Sequence, residues 1–157
     1  MILHASAAFV KRFKCDVTGV DKAWSQSPRM DAWSSHHVRL GTTPLVLAMH
    51  DMSLYTLLIP AKGARTFADV WMRMVGRICE TWWQHGAEFD PNNQAVIVLP
   101  RSDRRRIGSM NEMVHHLRWM HSDGCDLIEM EHRINQTPLR TISYNSPARK
   151  LAELLKG

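Results

Sequence analysis

The chain has 157 residues, 45% of them hydrophobic and 22% charged, and it carries a formal charge of +5 at pH 7 with its histidines neutral. This length fits one domain with a sizeable core, and the composition is ordinary for a globular protein, which argues against a disordered chain. There is no run of roughly 18 apolar residues and no leader-like start, so we expect a soluble, cytoplasmic protein without membrane contact.

The three cysteines, Cys15, Cys79 and Cys125, are odd in number and lack the spacing of a metal site. This pattern indicates reduced thiols rather than a disulfide framework. We predict no metal and no cofactor. The positive net charge favours an acidic partner, nucleic acid above all.

The first part of the chain predicts strands around one short helix. Residues 1–4 (MILH) predict an opening strand, and Ser6 is a helix N-cap ahead of apolar residues at helical spacing. The polar stretch from Asp16 to Asp31 predicts a long loop. Three apolar or β-branched runs, SHHVRL, PLVLAMH and SLYTLLIP, have short connections, which predicts an antiparallel meander whose middle strand is covered on both faces.

The longest helix is predicted over Phe67–His85. Thr66 and Asp69 have the spacing of a capping box, and Gly86 stands where a left-handed residue ends a helix. The polar residues of this segment fall on one narrow stripe, so we expect the helix to be buried over most of its circumference. A further strand, QAVIVLP, follows the turn-like DPNN.

Four arginines crowd the segment after that strand: Arg101, Arg104, Arg105 and Arg106. Ser109 and Glu112 form an S-x-x-E capping box for a helix over Met110–Ser122, so the arginines are predicted to lie in a loop just ahead of a helix start. Guanidinium groups bind phosphate well, and a helix start attracts negative charge. We therefore expect anion or nucleic-acid binding by these arginines and Ser109, with a solvated loop as the open alternative.

Three basic residues of the first helix are expected to assist this binding: Lys11, Arg12 and Lys14. Beyond Ser122, helices are predicted over Asp126–Asn135 and Pro147–Leu155, and Ser146 supplies an N-cap for the second. Together with the Met110–Ser122 helix they predict a C-terminal helical cluster.

Two helical segments contain E-x-x-H spacing: Glu112 with His115, and Glu129 with His132. Paired motifs of this kind hold two metals in some four-helix proteins, but those sites need further carboxylates that are not evident here. His50 and Asp51 form a candidate acid–base pair, for which a turn aspartate is the commoner explanation. No Gly-rich phosphate loop and no nucleophile elbow occurs.

Two pairs of adjacent residues have a binding interpretation beside a structural one. His36 and His37 lie on a predicted strand, so their side chains point to opposite faces and cannot hold one ion together. Trp82 and Trp83 could stack on nucleic-acid bases, although their place in an apolar helix favours a role in the core.

Three segments, PLVLAMHDMSLYTLLIP, SDRRRIGSMNEMVHHL and INQTPLRTISYNSP, resemble an uncharacterised family of small bacterial and phage-associated proteins, a domain of unknown function. Members of that family show a Gly-Ser-Met-Asn helix start and an Asn-x-Thr-Pro segment with a downstream Tyr and Pro. The matching residues here are Gly108, Ser109, Met110, Asn111, Asn135, Thr137, Pro138, Tyr144 and Pro147. The resemblance spans most of the chain and implies a shared fold and a bacterial or mobile-element origin, with no settled activity. The motif residues are equally explicable as caps and turns.

These patterns predict a single α+β domain over residues 1–157, with an antiparallel sheet, mostly a meander, packed by the Phe67–His85 helix and the C-terminal helical cluster. We expect a non-enzymatic binding protein that contacts nucleic acid or another polyanion through the arginine-rich loop. Two alternatives stay open. An exposed Met/Trp patch would favour a protein-binding regulator, such as a phage inhibitor of a host complex, and a pocket uniting histidine and carboxylate groups would favour a small hydrolase-like enzyme.

Overall fold

The computed structural model describes residues 1–18, 29–90 and 95–157. Most of the predicted Asp16–Asp31 loop and most of the predicted DPNN turn therefore lie outside the described residues. The strands are β1 (Ile2–Ala5), β2 (Ala32–Leu40), β3 (Thr43–His50), β4 (Thr56–Pro60) and β5 (Ile97–Pro100). The helices are α1 (Ala7–Phe13), α2 (Phe67–Gln84), α3 (Arg104–Ser122), α4 (Leu127–Gln136) and α5 (Pro147–Lys156), with a 3₁₀ turn at Arg140–Ile142.

The strands form one mixed sheet in the order β4-β3-β2-β1-β5. β2, β3 and β4 are the predicted meander, in which Leu47 pairs with His36 on one side and Leu58 on the other. β1, however, runs parallel to both of its neighbours, and Leu3 pairs with Trp33 and Val98. The prediction of an antiparallel sheet is therefore wrong. The chain between β1 and β2 contains α1, and the chain between β4 and β5 contains α2. Parallel strands need long connections of this kind, whereas the short turns of the meander allow only antiparallel pairing.

Helices cover both faces of the sheet and make a three-layer arrangement. On one face, α1, α2 and α5 contribute apolar side chains to a core that includes Phe9, Phe13, Val70, Met74, Ile78 and Leu151. On the other face, α3 and α4 contribute Met110, Met113, Leu117, Met120, Met130 and Ile134. The prediction that one long helix and a C-terminal cluster pack the sheet is wrong, because α2 and α3 are both long and lie on opposite faces.

Helix α2 begins as predicted but is less buried than expected. Thr66 Oγ1 accepts the amide N–H of Asp69 at 3.2 Å, and the Asp69 carboxylate accepts the amide N–H of Thr66 at 2.9 Å. Trp82 is buried, whereas Met72 and Trp83 are 70% and 77% exposed. The helix is therefore amphipathic, with one face on the sheet, and the expectation of burial over most of its circumference is wrong.

Two side chains of α4 cap the backbone of the edge strand β4. Asn135 Oδ1 accepts the N–H of Thr56 and Asn135 Nδ2 donates to the Thr56 carbonyl, each at 2.8 Å. Glu131 Oε2 accepts the N–H of Leu58 at 2.7 Å, and its Oε1 lies 2.6 Å from Nη2 of Arg77. An open strand edge invites pairing with other chains, so these contacts protect the sheet while they fasten α4 to it.

Candidate functional site

Helix α3 concentrates the positive charge of the protein. It contains four arginines and one glutamate, a net charge of +3 with histidines neutral, against +5 for the whole chain. Its buried side faces the sheet, and a line of exposed residues runs along the opposite side: Arg104, Gly108, Asn111, His115 and Arg118. This line, here called the basic strip, contains no acidic residue. Neither of its arginines makes an ion pair within the described ranges 1–18, 29–90 and 95–157.

The predicted arginine loop is in fact the first turn of this helix. Asp103 is the N-cap, and its Oδ1 accepts the amide N–H groups of Arg105 at 2.8 Å and of Arg106 at 3.3 Å. The predicted capping box of Ser109 and Glu112 is wrong, because aspartate is a strong N-cap and arginine a good helix former, so the helix starts earlier. Since Asp103 occupies these amides, an anion here would meet arginine side chains rather than a free helix start.

The four predicted arginines do not share one surface. Arg104 and Arg105 are exposed. Arg106 turns inward, with Nη1 at 3.1 Å from Oδ2 of Asp51. Arg101 is half-buried just after β5. Two of the four are therefore available at the outer surface of α3, and the other two belong to the layer between helix and sheet.

A buried ionic network lies under the start of α3. Asp51 Oδ1 accepts the Ser34 hydroxyl at 2.8 Å, and Oδ2 lies 3.1 Å from Arg106 Nη1 and 3.4 Å from His4 Nε2. Burial raises the pKa of Asp51 to about 6 against the opposing charge of Arg106, and burial lowers the pKa of His4 to about 4. At pH 7 the network thus holds an ionised carboxylate between a guanidinium and a neutral imidazole. The ion pair ties α3 to the sheet, since a buried charge without its partner is strongly destabilising.

The predicted pair of His50 and Asp51 is not formed, because the two side chains lie on opposite faces of the sheet. His50 packs against Trp33, with Nδ1 at 2.8 Å from Ser53 Oγ and Nε2 at 3.1 Å from the carbonyl oxygen of Met30. A carbonyl only accepts, so Nε2 carries the proton and Nδ1 accepts from Ser53. Burial lowers the pKa of His50 to about 4, which keeps the ring neutral and structural.

Three polar side chains stand in a row where β1 and β5 end. The amide of Arg101 donates to the carbonyl of Ala5, and the amide of Ser6 donates to the carbonyl of Ser35, both at 3.0 Å. The ladders that β1 makes with β5 and β2 thus continue one residue past β1 and β5, whereas β2 itself runs on to Leu40. This register places Arg101, Ser6 and His36 side by side on the face that α3 covers, a set here called the strand-end row. His36 Nδ1 lies 2.9 Å from Ser6 Oγ.

The charge in the strand-end row is not balanced. Arg101 Nη1 is buried and has no hydrogen-bond partner in the part of the chain that the structure describes, and burial lowers the pKa of Arg101. Burial, then the charge of Arg101, lowers the pKa of His36 to about 4. Sequence reasoning missed Ser6 and His36 as neighbours of Arg101 because parallel pairing joins residues that lie far apart in the chain.

A family model for a domain of unknown function, DUF6933, matches residues 2–150. The chain belongs to this family. The predicted resemblance to a domain of unknown function is confirmed at that level, and the DUF6933 match covers the whole sheet and its helices up to the first turn of α5. Comparison with curated proteins found no match, and comparison with solved structures found none.

Beside the first turns of α3, this DUF6933 domain has an open cleft of about 570 Å³, solvent at its mouth included. Its polar lining comprises Asp51, Asp103, Arg105, Arg106, Ser109 and Thr141. Ser109, a predicted anion ligand, is mostly buried here. The Asp51 side chain is only 1% exposed, whereas that of Asp103 is 39% exposed, so the cleft presents Arg105 and the N-cap carboxylate to solvent.

The remaining candidates of the DUF6933 domain are dispersed. The basic residues of α1 lie on the face of the sheet opposite α3, so Lys11, Arg12 and Lys14 do not extend the basic strip. Glu129 pairs with Arg133 instead of facing a metal with His132. Among the described residues no cluster of three His, Cys, Asp or Glu side chains could hold a metal ion. In the same residues, no helix has the length and apolar character needed to cross a bilayer.

Proposed function

We propose that this DUF6933 protein binds nucleic acid or another polyanion along the basic strip of α3. The observation that carries the proposal is an exposed, acid-free helix line with an arginine at each end, beside which Arg105 adds a third exposed arginine. Arginines without a carboxylate partner are free to neutralise phosphates and release counterions, which is the main source of sequence-independent affinity for nucleic acid.

The dimensions of the strip suit an extended phosphate backbone. Arg104 and Arg118 lie about 20 Å apart along the helix, given a rise of roughly 1.5 Å per residue. That length spans roughly six phosphates of one strand. Trp119, which is 61% exposed, flanks the strip, and an exposed aromatic ring beside arginines offers a face on which a base can stack. Glu112 lies beside the strip and is the one carboxylate of the helix, so contact through Arg104, Arg105 and Arg118 is expected to dominate.

The test is fluorescence anisotropy with labelled single-stranded DNA, duplex DNA and RNA at low and physiological salt. We expect the double variant Arg104→Ala/Arg105→Ala to weaken binding and to reduce the slope of log affinity against log salt by about 2, roughly one for each phosphate contact. The matched control is Lys62→Ala/Lys156→Ala, which removes the same charge from exposed positions elsewhere. Absence of binding at low salt, or equal losses in the two double variants, would refute the proposal.

A protein-binding regulator is the second candidate, and one observation favours it. Helix α2 exposes the apolar side chains of Met72 and Trp83, each more than two-thirds exposed, with exposed Gly76 between them on the same side of the helix. Exposed apolar stripes of this kind mark protein contacts. A photo-crosslinking residue at position 72 should capture a defined protein in cells, and Trp83→Glu should abolish that capture whereas Trp119→Glu should not. Loss in both variants, or no crosslinked protein, would count against this candidate.

The third alternative, a hydrolase-like enzyme, has less support. It requires a histidine and a carboxylate that reach a common substrate, whereas Asp51 is held by Ser34, Arg106 and His4 under α3. Our proposal includes two expectations from the sequence: the bacterial or phage-associated origin that the resemblance implies, and a cytoplasmic location. Both suit a protein that meets nucleic acid inside the cell.

A further inference from the structure

We propose that the strand-end row of Arg101, Ser6 and His36 is a discrete site for one phosphoryl group. This inference deepens the proposed function and rests on it for the source of the group, which is either a terminal phosphate of a bound strand or a free phosphate. It differs from the basic strip in kind, since the strip holds a backbone by spread charge and the row would hold one anion by directed hydrogen bonds.

The row lies at the position in the sheet where such sites form. β1 has β2 on one side and β5 on the other, and all three strands run parallel. The carboxyl ends of β1 and β5 meet at one edge, beside His36 in the middle of β2. After β1 the chain adds β2, β3 and β4 on one side of β1, and only after α2 does it add β5 on the other side. The boundary between β1 and β5 is therefore the point where the strand order reverses. Open sheets with parallel strands bind ligands outside the carboxyl ends of the strands at such a point.

The charge of Arg101 supplies the main physical argument. Its guanidinium is half-buried, Nη1 has no hydrogen-bond partner, and no carboxylate of the described residues lies within ion-pair distance of it. Because Nη1 is buried, a cation here without a counter-charge is less favourable than one in open solvent. Arg118, on the adjoining surface of α3, adds positive charge near His36 rather than compensating it. The described residues thus supply no counter-charge to Arg101.

The hydrogen-bond pattern makes the row a set of donors. Ser6 Oγ accepts the amide N–H of Phe9 at 3.1 Å, so its own hydrogen is free to reach His36 Nδ1 at 2.9 Å. His36 is a neutral ring at pH 7, and in the tautomer whose Nδ1 accepts that hydrogen, Nε2 carries the ring proton. Arg101 and, in that tautomer, His36 Nε2 therefore both present N–H groups. A phosphoryl group has only acceptor oxygens, so it matches this set, whereas a cation or an amide donor does not.

The first experiment measures thermal unfolding with inorganic phosphate, against chloride at equal ionic strength. Phosphate at ten times its Kd should raise the Tm of the natural protein by about 3–6 °C. Arg101→Met should abolish this rise, yet keep or increase the Tm without phosphate, because it removes an uncompensated buried charge. A purely structural arginine would instead lower the Tm. The control is Arg65→Met, which removes an exposed arginine ahead of α2 and should leave the phosphate response intact.

The second experiment separates the sources of the phosphoryl group. Oligonucleotides with and without a 5′-phosphate are compared in the natural protein and in Ser6→Ala, which removes the hydroxyl that orients His36. If the natural protein prefers the phosphorylated oligonucleotide and Ser6→Ala reduces that preference, the site binds the 5′-phosphate at the end of a nucleic-acid strand. A response to inorganic phosphate with no such preference assigns it to a free phosphate.

The two proposals can fail separately. If Arg104→Ala/Arg105→Ala loses nucleic-acid binding but keeps its response to phosphate, both the proposed function and the phosphate site are supported, since these arginines are outside the row. A phosphate response without any nucleic-acid binding removes the proposed function and leaves the phosphate site. A natural protein that responds to neither phosphate nor a phosphorylated strand end, or an Arg101→Met variant that responds fully, overturns the phosphate site whatever the basic strip does.

Discussion

Buried histidines predict that moderate acid destabilises this protein. His4 and His50 are buried in the sheet, and burial lowers the pKa of each to about 4 from an ordinary value near 6.5. Because the folded pKa lies below the unfolded one, the unfolded chain binds more protons between pH 6.5 and pH 4. The stability from these two groups is therefore fully present above about pH 6.5 and is lost as the pH falls towards 4.

The magnitude follows from the same shifts. Between pH 7 and pH 5, each of the two histidines should lower the free energy of unfolding by about 2 kcal/mol. Asp51 acts in the opposite direction, because burial raises its folded pKa to about 6 and the folded state then retains a proton that the unfolded state releases. This opposing effect is about 1 kcal/mol, which leaves a net loss of about 2–3 kcal/mol. His36, also shifted down to about 4, adds to the loss.

The assay is urea unfolding, followed by tryptophan fluorescence at pH 7, 6 and 5. His50→Gln removes one titrating ring, so the difference in unfolding free energy between pH 7 and pH 5 should shrink by about 2 kcal/mol, whatever the variant's stability at pH 7. His132→Gln, a change at an exposed position of α4, is the matched control and should leave the difference as it is. An unfolding free energy that stays flat from pH 7 to pH 5, or an unaltered difference in His50→Gln, would refute the reasoning.

Three further predictions concern caps and edges, each measured as a change in unfolding free energy. Asn135→Ala leaves the buried N–H and carbonyl of Thr56 without their side-chain partner and should destabilise the fold by about 2–4 kcal/mol. Asn111→Ala, at the surface of α3, is the control and should have little effect. Equal losses in the two variants would contradict the role of Asn135 in capping the edge strand β4. Asp103→Ala removes the N-cap of α3 and the negative charge next to Arg104, Arg105 and Arg106. We expect the free energy of unfolding to fall by about 1–2 kcal/mol, and by less at high salt. A decrease that does not depend on salt would contradict the role of this charge. Thr66→Ala should cost about 1 kcal/mol through the capping box of α2, and an unchanged midpoint would show that packing alone holds that helix start.

Local rules predicted the elements well where the deciding residues lie within one turn of each other. Ser6, Thr66 and Ser146 cap their helices as expected, since an N-cap and the amide it accepts are three residues apart. The three-strand meander was also predicted, because short connections leave adjacent strands little choice but to pair. The start of α3 was mispredicted for an equally local reason: two caps compete, and Asp103 prevails over Ser109 because the arginines between them extend the helix.

The candidate site was harder to predict. The sequence singled out Arg101 and Arg104–Arg106 as a group, but the direction of each side chain depends on contacts that no spacing reveals. Arg106 faces inward because Asp51 lies beneath it, and Arg101 lies at a strand end because β5 pairs with β1. From the sequence, Ser6 was predicted as a helix N-cap and His36 as a strand residue next to His37, and neither pattern indicated a position beside Arg101.

The sequence by itself determined the α+β composition, the caps, the meander and the excess of positive charge around α3, because each depends on residue type and on neighbours a few positions away. The tertiary structure alone decided that the sheet is mixed, which arginines reach solvent, and that Arg101 stands beside Ser6 and His36. Parallel pairing brings β5 and β1 together across most of the chain, and nothing local encodes that register. It depends on which packing of the two helical layers buries the apolar faces of the sheet.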